Sequence, residues 1–159
     1  MTDKNRRAIE VLEIEGKRGT SYPEEFRKEV ENRRKRAVGD YFGLTKYGVN
    51  YVELEPGSWS AQRHWHSRED ELIFVVTGEL TLITDSGEQR LTPGMVAGFP
   101  AGVADGHHLV NRGDTVAAYL EIGDRDAADE VFYPDVDLEL RSDGEGGRVF
   151  KRRDGSRYE

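Results

Sequence analysis

From Tyr47 onward the side chains alternate in character with a period of two. Val49, Tyr51 and Glu53 interleave with Asn50, Val52 and Leu54 until Pro56-Gly57 breaks the run, as a strand ending in a turn does. Further strand-like segments follow at short intervals, over 59–65, 71–77, 79–84, 88–91, 95–99, 107–110 and 116–122. Between them lie Thr77-Gly78, Asp85-Ser86-Gly87, Pro93-Gly94, Pro100-Ala101-Gly102, Asp105-Gly106 and Arg112-Gly113-Asp114, all of them turn-forming residues. Many short strands with no helix between them predict an all-β sandwich or barrel rather than alternating α/β units.

The flanks read differently. A hydrophobic island at residues 9–14 alternates well enough to add an edge strand. Ser21-Tyr22-Pro23-Glu24 resembles a helix start, and the helix-forming residues after it predict a short helix over 23–36, with Gly39 helping to stop it. After Gly123 the chain turns acidic and loop-like, and a last pair of short strands, 148–151 and 156–158, is expected to close around Asp154-Gly155. We therefore divide the chain into an N-terminal arm (1–47), a core (48–123) and a C-terminal tail packed on it (124–159).

Composition narrows the function classes. The chain has 159 residues, enough for one ordinary domain, with 18 glycines and 34% charged residues, as a turn-rich protein with a solvated surface would have. The longest apolar run, 72–76, is far short of the ~20 residues that cross a bilayer, so no membrane partner is expected. No secretory pattern opens the chain and there is no cysteine, so the cytoplasm is the expected compartment. A formal net charge of -8 argues against a nucleic-acid partner, because duplex affinity comes from cations neutralising phosphates. The charge is uneven: residues 1–36 carry 11 basic and 8 acidic side chains. The cluster Arg33, Arg34, Lys35, Arg36 reads first as a solvated face on the arm, with an acidic partner or a second copy as its alternative.

The four histidines fall into two groups, His64 with His66 and His107 with His108. Residues two apart on a strand share a face, so His64 and His66 set two imidazoles on one wall, and Glu71 opens the next apolar strand with a carboxylate. Two histidines and a carboxylate, joined by a histidine from a distant strand, suit one divalent metal ion, namely zinc, manganese, iron or nickel. By parity Gln62 points the same way as His64, and Tyr119 or Glu121 on the returning strand is a candidate acid or base. Arg63, Arg68 and Arg125 invite an anion-binding reading, against which stands an ordinary surface ion pair. Trp59 and Trp65 have outward parity and are expected to pack against the arm or a dimer mate.

These residues carry a family resemblance. Segment 57–78, GSWSAQRHWHSREDELIFVVTG, resembles the first cupin motif, with His64, His66, Glu71 and Gly78 on its positions and a first gap of six residues where the motif has five. Segment 94–111, GMVAGFPAGVADGHHLVN, resembles the second, with Gly94, Pro100, Gly102, His107 and Asn111 matching and four residues rather than two between Gly102 and His107. The insertion leaves His107, His108 and Asp105 as alternatives for the fourth ligand; we favour His107, which shares a strand face with Leu109 and Asn111. The resemblance implies a double-stranded β-helix, the cupin jelly-roll barrel, holding one metal near its mouth through His64, His66, Glu71 and His107. It is closest to a group of small single-domain bacterial cupins, some labelled sugar-phosphate-isomerase-like, and implies a homodimer.

Three functions follow as expectations. The first is a metal-dependent isomerase or epimerase acting on a small polar sugar or sugar phosphate, with Gln62 and Tyr119 binding the small-molecule ligand. The others are an iron-dependent dioxygenase and a non-catalytic small-ligand-binding cupin.

Overall fold

The computed structural model describes residues 6–158; the first five residues of the expected arm and the last of the expected tail lie outside them. Thirteen strands occur in it: β1 (Gly16–Arg18), β2 (Arg33–Ala37), β3 (Tyr47–Leu54), β4 (Trp65–His66), β5 (Glu71–Thr77), β6 (Leu80–Thr84), β7 (Gly87–Leu91), β8 (Val96–Phe99), β9 (His108–Val110), β10 (Ala117–Asp124), β11 (Val131–Tyr133), β12 (Leu138–Ser142) and β13 (Arg148–Lys151). They form three sheets, ordered β1-β2-β3-β10-β5-β8, β13-β12-β11-β4 and β7-β6-β9. Neighbouring strands throughout are antiparallel. The all-β class expected from the sequence is met, and the sheets are consistent with the expected jelly roll, although backbone pairing does not close them into one continuous barrel. Among the described residues no helix is long and apolar enough to cross a membrane.

Alternation explains the central sheet. Val52 and Leu54 on β3, Ile73 and Val75 on β5, and Ala117 and Tyr119 on β10 all turn inward onto Leu80, Leu82, Leu91 and Leu109, forming one buried cluster. Gly78 joins β5 to β6 with φ at 72°, and a Cβ there would meet the Cα of Ala117 at 2.8 Å, so both the backbone conformation and the close approach require glycine. A second cluster lies under the arm, where Tyr22 and Val30 meet Val131, Tyr133 and Leu138 of the C-terminal segment.

The arm departs from expectation. The helix over 23–36 is replaced by one 3-10 turn at Glu24–Phe26, further turns, and the strand β2. Helix propensity here is a weak preference, worth tenths of a kcal/mol per residue, and the free edge of β3 overrides it: Arg33 pairs with Leu54, Lys35 with Val52 and Ala37 with Asn50. The edge strand sought in the island at 9–14 lies slightly later, as β1, and the island itself forms a 3-10 turn at Val11–Glu13. A four-residue helix, Val38–Tyr41, follows β2 directly. The expected C-terminal hairpin is present in reduced form, with β13 and a bridge between Lys151 and Arg157.

Candidate metal centre

Segment 58–64 is not a regular strand, but it runs antiparallel to 107–111. Ser60 N donates to Leu109 O at 2.8 Å, and His64 and His107 exchange a pair of backbone hydrogen bonds, at 3.2 Å from His64 N and 2.9 Å from His107 N. His64 therefore stands directly opposite His107. Beyond His66, a turn brings the chain into β5, whose first residue is Glu71. The two-residue insertion in the second motif makes a loop of its own: Asp105 Oδ1 accepts from Asp85 N at 2.8 Å, and Gly106 packs against Pro134 so closely that a Cβ would meet its ring at 2.9 Å.

These elements bring four side chains together. Glu71 Oε2 lies 3.0 Å from His107 Nε2, 3.8 Å from His64 Nε2 and 3.7 Å from His66 Nε2. Ligating atoms of His64, His66 and Glu71 all fall within 4.8 Å of one another, and His107 joins the group through Glu71. Two of the imidazoles are oriented from behind. His64 Nδ1 donates to Gln62 O at 2.8 Å and His66 Nδ1 to Asp129 Oδ2 at 2.7 Å, which leaves each Nε2 lone pair aimed at the common centre. Asp129 is fully buried, and its other oxygen accepts from the backbone N–H groups of Arg68 and Glu69. It is thus a clamp, even though His66, Glu69 and Asp129 form a second close group.

The electrostatics agree with this geometry. Burial pushes the Glu71 carboxyl up, but the hydrogen bond from His107 and the closeness of the His107 and His64 imidazoles outweigh it and hold the group well below the usual carboxylate range. Burial lowers His64, yet Glu71 raises it above an ordinary imidazole; for His107 burial wins and the pKa falls. The His107 ring lies stacked on Phe99, 3.6 Å between centroids, and its Nδ1 is buried without a hydrogen-bond partner among the described residues. Three nitrogens and one carboxylate oxygen, with two nitrogens fixed as acceptors, form a donor set that fits a divalent metal ion. His108 faces the other way: its Nδ1 bonds Ala61 O at 2.9 Å and its ring meets Trp59 edge-on at 4.8 Å.

His64, His66 and Glu71 line a cavity of about 570 Å³, and His107 lines a smaller pocket that shares His66 with it. Arg33 and Lys35 from β2, Asn50 from β3, Glu121 from β10 and Arg148 from β13 line the same cavity, together with Arg125 and the carboxylates of Asp40, Glu69, Asp70 and Asp124. Glu121 Oε2 accepts from Asn50 Nδ2 at 3.1 Å and pairs with Lys35 Nζ at 3.3 Å.

Two expected ligand-binding residues do not reach this cavity. Gln62 is buried, but its amide turns away to donate to Phe26 O at 3.1 Å, because strand parity does not hold along an irregular segment. Tyr119 does face inward, yet it is 1% exposed within the apolar cluster, and its hydroxyl has no partner among the described residues. The three arginines weighed as anion sites are each engaged. Arg63 grips Asp135 through two hydrogen bonds of 2.7 Å, Arg68 pairs with Asp126, and Arg125 pairs with Asp40. Trp59 packs beside the arm's cluster, whereas Trp65 stacks on Phe132 at 4.6 Å. The residues that sequence reasoning missed are Arg33, Lys35, Arg148 and Asp129. For the first two a signal existed, since Arg33, Lys35 and Ala37 alternate with the outward Arg34 and with Arg36, which turns to Glu53.

Residues 50–123 match the cupin domain family. No curated protein sequence matches the chain. Among solved structures, a cupin-superfamily sugar phosphate isomerase from Silicibacter pomeroyi is similar at 39% identity and a TM-score of 0.89, over 94% of this chain and 95% of that one. A candidate sugar phosphate isomerase from Acidithiobacillus ferrooxidans is 30% identical with a TM-score of 0.71, over 79% of each chain. A polyketide cyclase from Streptomyces resistomycificus, at 20% identity and a TM-score of 0.61 over 75% of this chain and 79% of that one, shares the fold. With both motifs, the sheet arrangement and a relative aligned along nearly its whole length, the chain belongs to the cupin superfamily.

Proposed function

We propose that this cupin is a metal-dependent isomerase acting on a small sugar phosphate, with His64, His66, Glu71 and His107 as the metal ligands. The observation that carries the reading is that His64, His66 and Glu71 line one cavity with Arg33, Lys35 and Arg148, so that metal-ligating groups and cations address the same small molecule. The substrate class is supported by the two relatives described as sugar phosphate isomerases.

A bound divalent ion would supply Lewis-acid polarisation of the sugar's carbonyl and hydroxyl oxygens. The remaining chemistry belongs to the chain. Interconversion of an aldose and a ketose removes a proton from the carbon beside the carbonyl and returns one to its neighbour, so substrate and product are isomers and no co-reactant is consumed. Glu121 is the group we assign to carry that proton. It lines the cavity, and Asn50 and Lys35 fix its carboxylate. Glu71 and the histidines would hold the ion that addresses the oxygen end of the substrate, while Arg33, Lys35 and Arg148 offset the charge of the phosphate.

Incubation with aldose and ketose phosphates in deuterated water tests this. Deuterium should enter the carbon next to the carbonyl, and Glu121→Gln should slow its entry by about 100-fold or more, within the range a positioned base contributes. Oxygen consumption without isomerised product would replace this reading with an oxidative one.

A further inference from the structure

The cations of the cavity are not equivalent. Lys35 is paired with Glu121 at 3.3 Å, Arg125 with Asp40 at 2.5 Å, and Arg148 with Asp129 and Glu69 at 3.4 and 3.6 Å. Arg33 lines the same cavity, and among the described residues no carboxylate pairs with it. Its guanidinium is nevertheless held in place. Nη1 donates to the carbonyl of Ser60 at 2.7 Å, while Nε is buried with no hydrogen-bond partner among the described residues. The phenols of Tyr22, Tyr119 and Tyr133 are near enough to feel its charge, and burial keeps all three protonated by raising their pKa. They therefore supply no counter-charge.

A partly desolvated charge without a partner is unfavourable, and proteins keep few of them. An arginine fork also matches the geometry of a phosphoryl group, presenting several N–H donors in one plane. We infer that Arg33 is the residue that recognises the phosphate of the substrate, fixing that end of the molecule while the His64, His66 and Glu71 cluster of the same cavity addresses the reacting oxygens. This deepens the sugar-phosphate reading and rests on it. It also gives the arm a function: β2 lies outside the segment that matches the cupin domain, so phosphate recognition has been added to the core by one strand.

The probe is inorganic phosphate, titrated calorimetrically into the full chain at constant ionic strength, with metal content measured on every sample. Arg33→Gln should weaken phosphate binding at least about tenfold, in line with loss of hydrogen bonds to a charged group. Arg33→Lys keeps the charge without the fork and should fall between the two. Arg68→Gln, outside the cavity, should bind as the unsubstituted protein does. His64→Ala should lose metal and keep phosphate. Unfolding curves show whether each variant folds; should Arg33→Gln fail to fold, Arg33→Lys decides. The inference is overturned if the unsubstituted protein does not bind phosphate, or if the folded Arg33 variants bind it undiminished. It is equally overturned if His64→Ala abolishes binding while Arg33→Gln spares it, because phosphate would then be bound at the metal. Binding that depends on Arg33 in a protein that never retains metal would uphold the anion site and remove the metal-dependent mechanism instead.

Discussion

The two working walls of the cavity are built by opposite rules. At the cluster end, the Nδ1 atoms of His64 and His66 are committed, to a backbone carbonyl and to a buried carboxylate, so their Nε2 atoms stay fixed and free. On the β2 side, Arg33 is tethered through one nitrogen and has no carboxylate partner among the described residues. The first group fixes its nitrogen lone pairs from behind, and the second presents a guanidinium that no described carboxylate neutralises. The comparison teaches that in this fold an aligned donor is recognised by how fully its far side is bonded, whereas a binding cation is recognised by the carboxylate it lacks.

The sharpest way to break the contrast is to remove a group from the cluster itself. His64→Ala, His107→Ala or Glu71→Gln should each lower metal retention by more than about 100-fold, beyond what outer partners contribute, as read by metal analysis after purification without added ions. His108→Ala should retain metal while losing roughly 1–3 kcal/mol of stability, because the Ala61 carbonyl is left without its partner. Metal loss in the His108 variant alone would invert the assignment of the two neighbouring histidines. One step smaller is Asp129→Asn, which preserves shape but disturbs the hold on His66. It should weaken metal binding by about 10–100-fold without touching any residue of the β2 wall. Undiminished affinity would show that the clamp does not govern the imidazole.

How far each wall was legible in the sequence follows from the range of the interactions that build it. His64, His66 and Glu71 lie within eight residues of one another, so parity and spacing display their chemistry locally. His107 was reachable despite the two-residue insertion because Asn111 fixes the strand end, its amide bonding Leu54 O and Thr115 O at 2.8 Å each. Arg33 and Lys35 were hidden by their own neighbours: four consecutive basic residues among helix formers resemble a wet helix, and only pairing with β3 reveals their common face. Asp129 sits in an acidic stretch where nothing local separates a buried carboxylate from exposed ones. Gln62 shows where parity misleads, since alternation was extended into a segment that holds its partner through scattered bridges. Tyr119 faces inward as one of the two parities required, but inward there means the apolar core.

The smallest effect comes from an arginine that follows neither rule. Arg63 neighbours His64 but points outward, binding Asp135, Asp85 and the carbonyl of Gly106, the last at 3.1 Å. The hydrogen bonds from Arg63 pull the Asp135 carboxyl below its usual range, and Arg63 itself stays charged throughout. A carboxylate whose pKa is depressed in the folded state adds stability above its unfolded value, near 3.9, and loses it as pH falls through the lower folded value. Arg63→Met should therefore unfold at a lower temperature than the unsubstituted protein at neutral pH, and the gap should narrow as the buffer is brought below about pH 4. Because Asp135 is 57% exposed, the titrating part of that gap should be under about 1 kcal/mol. Metal retention and phosphate binding should both be unchanged in this variant. If either falls with Arg63, an outward cation reaches the cavity through the strand it caps, and the division between a bonded wall and an open one would have to be redrawn around position 63.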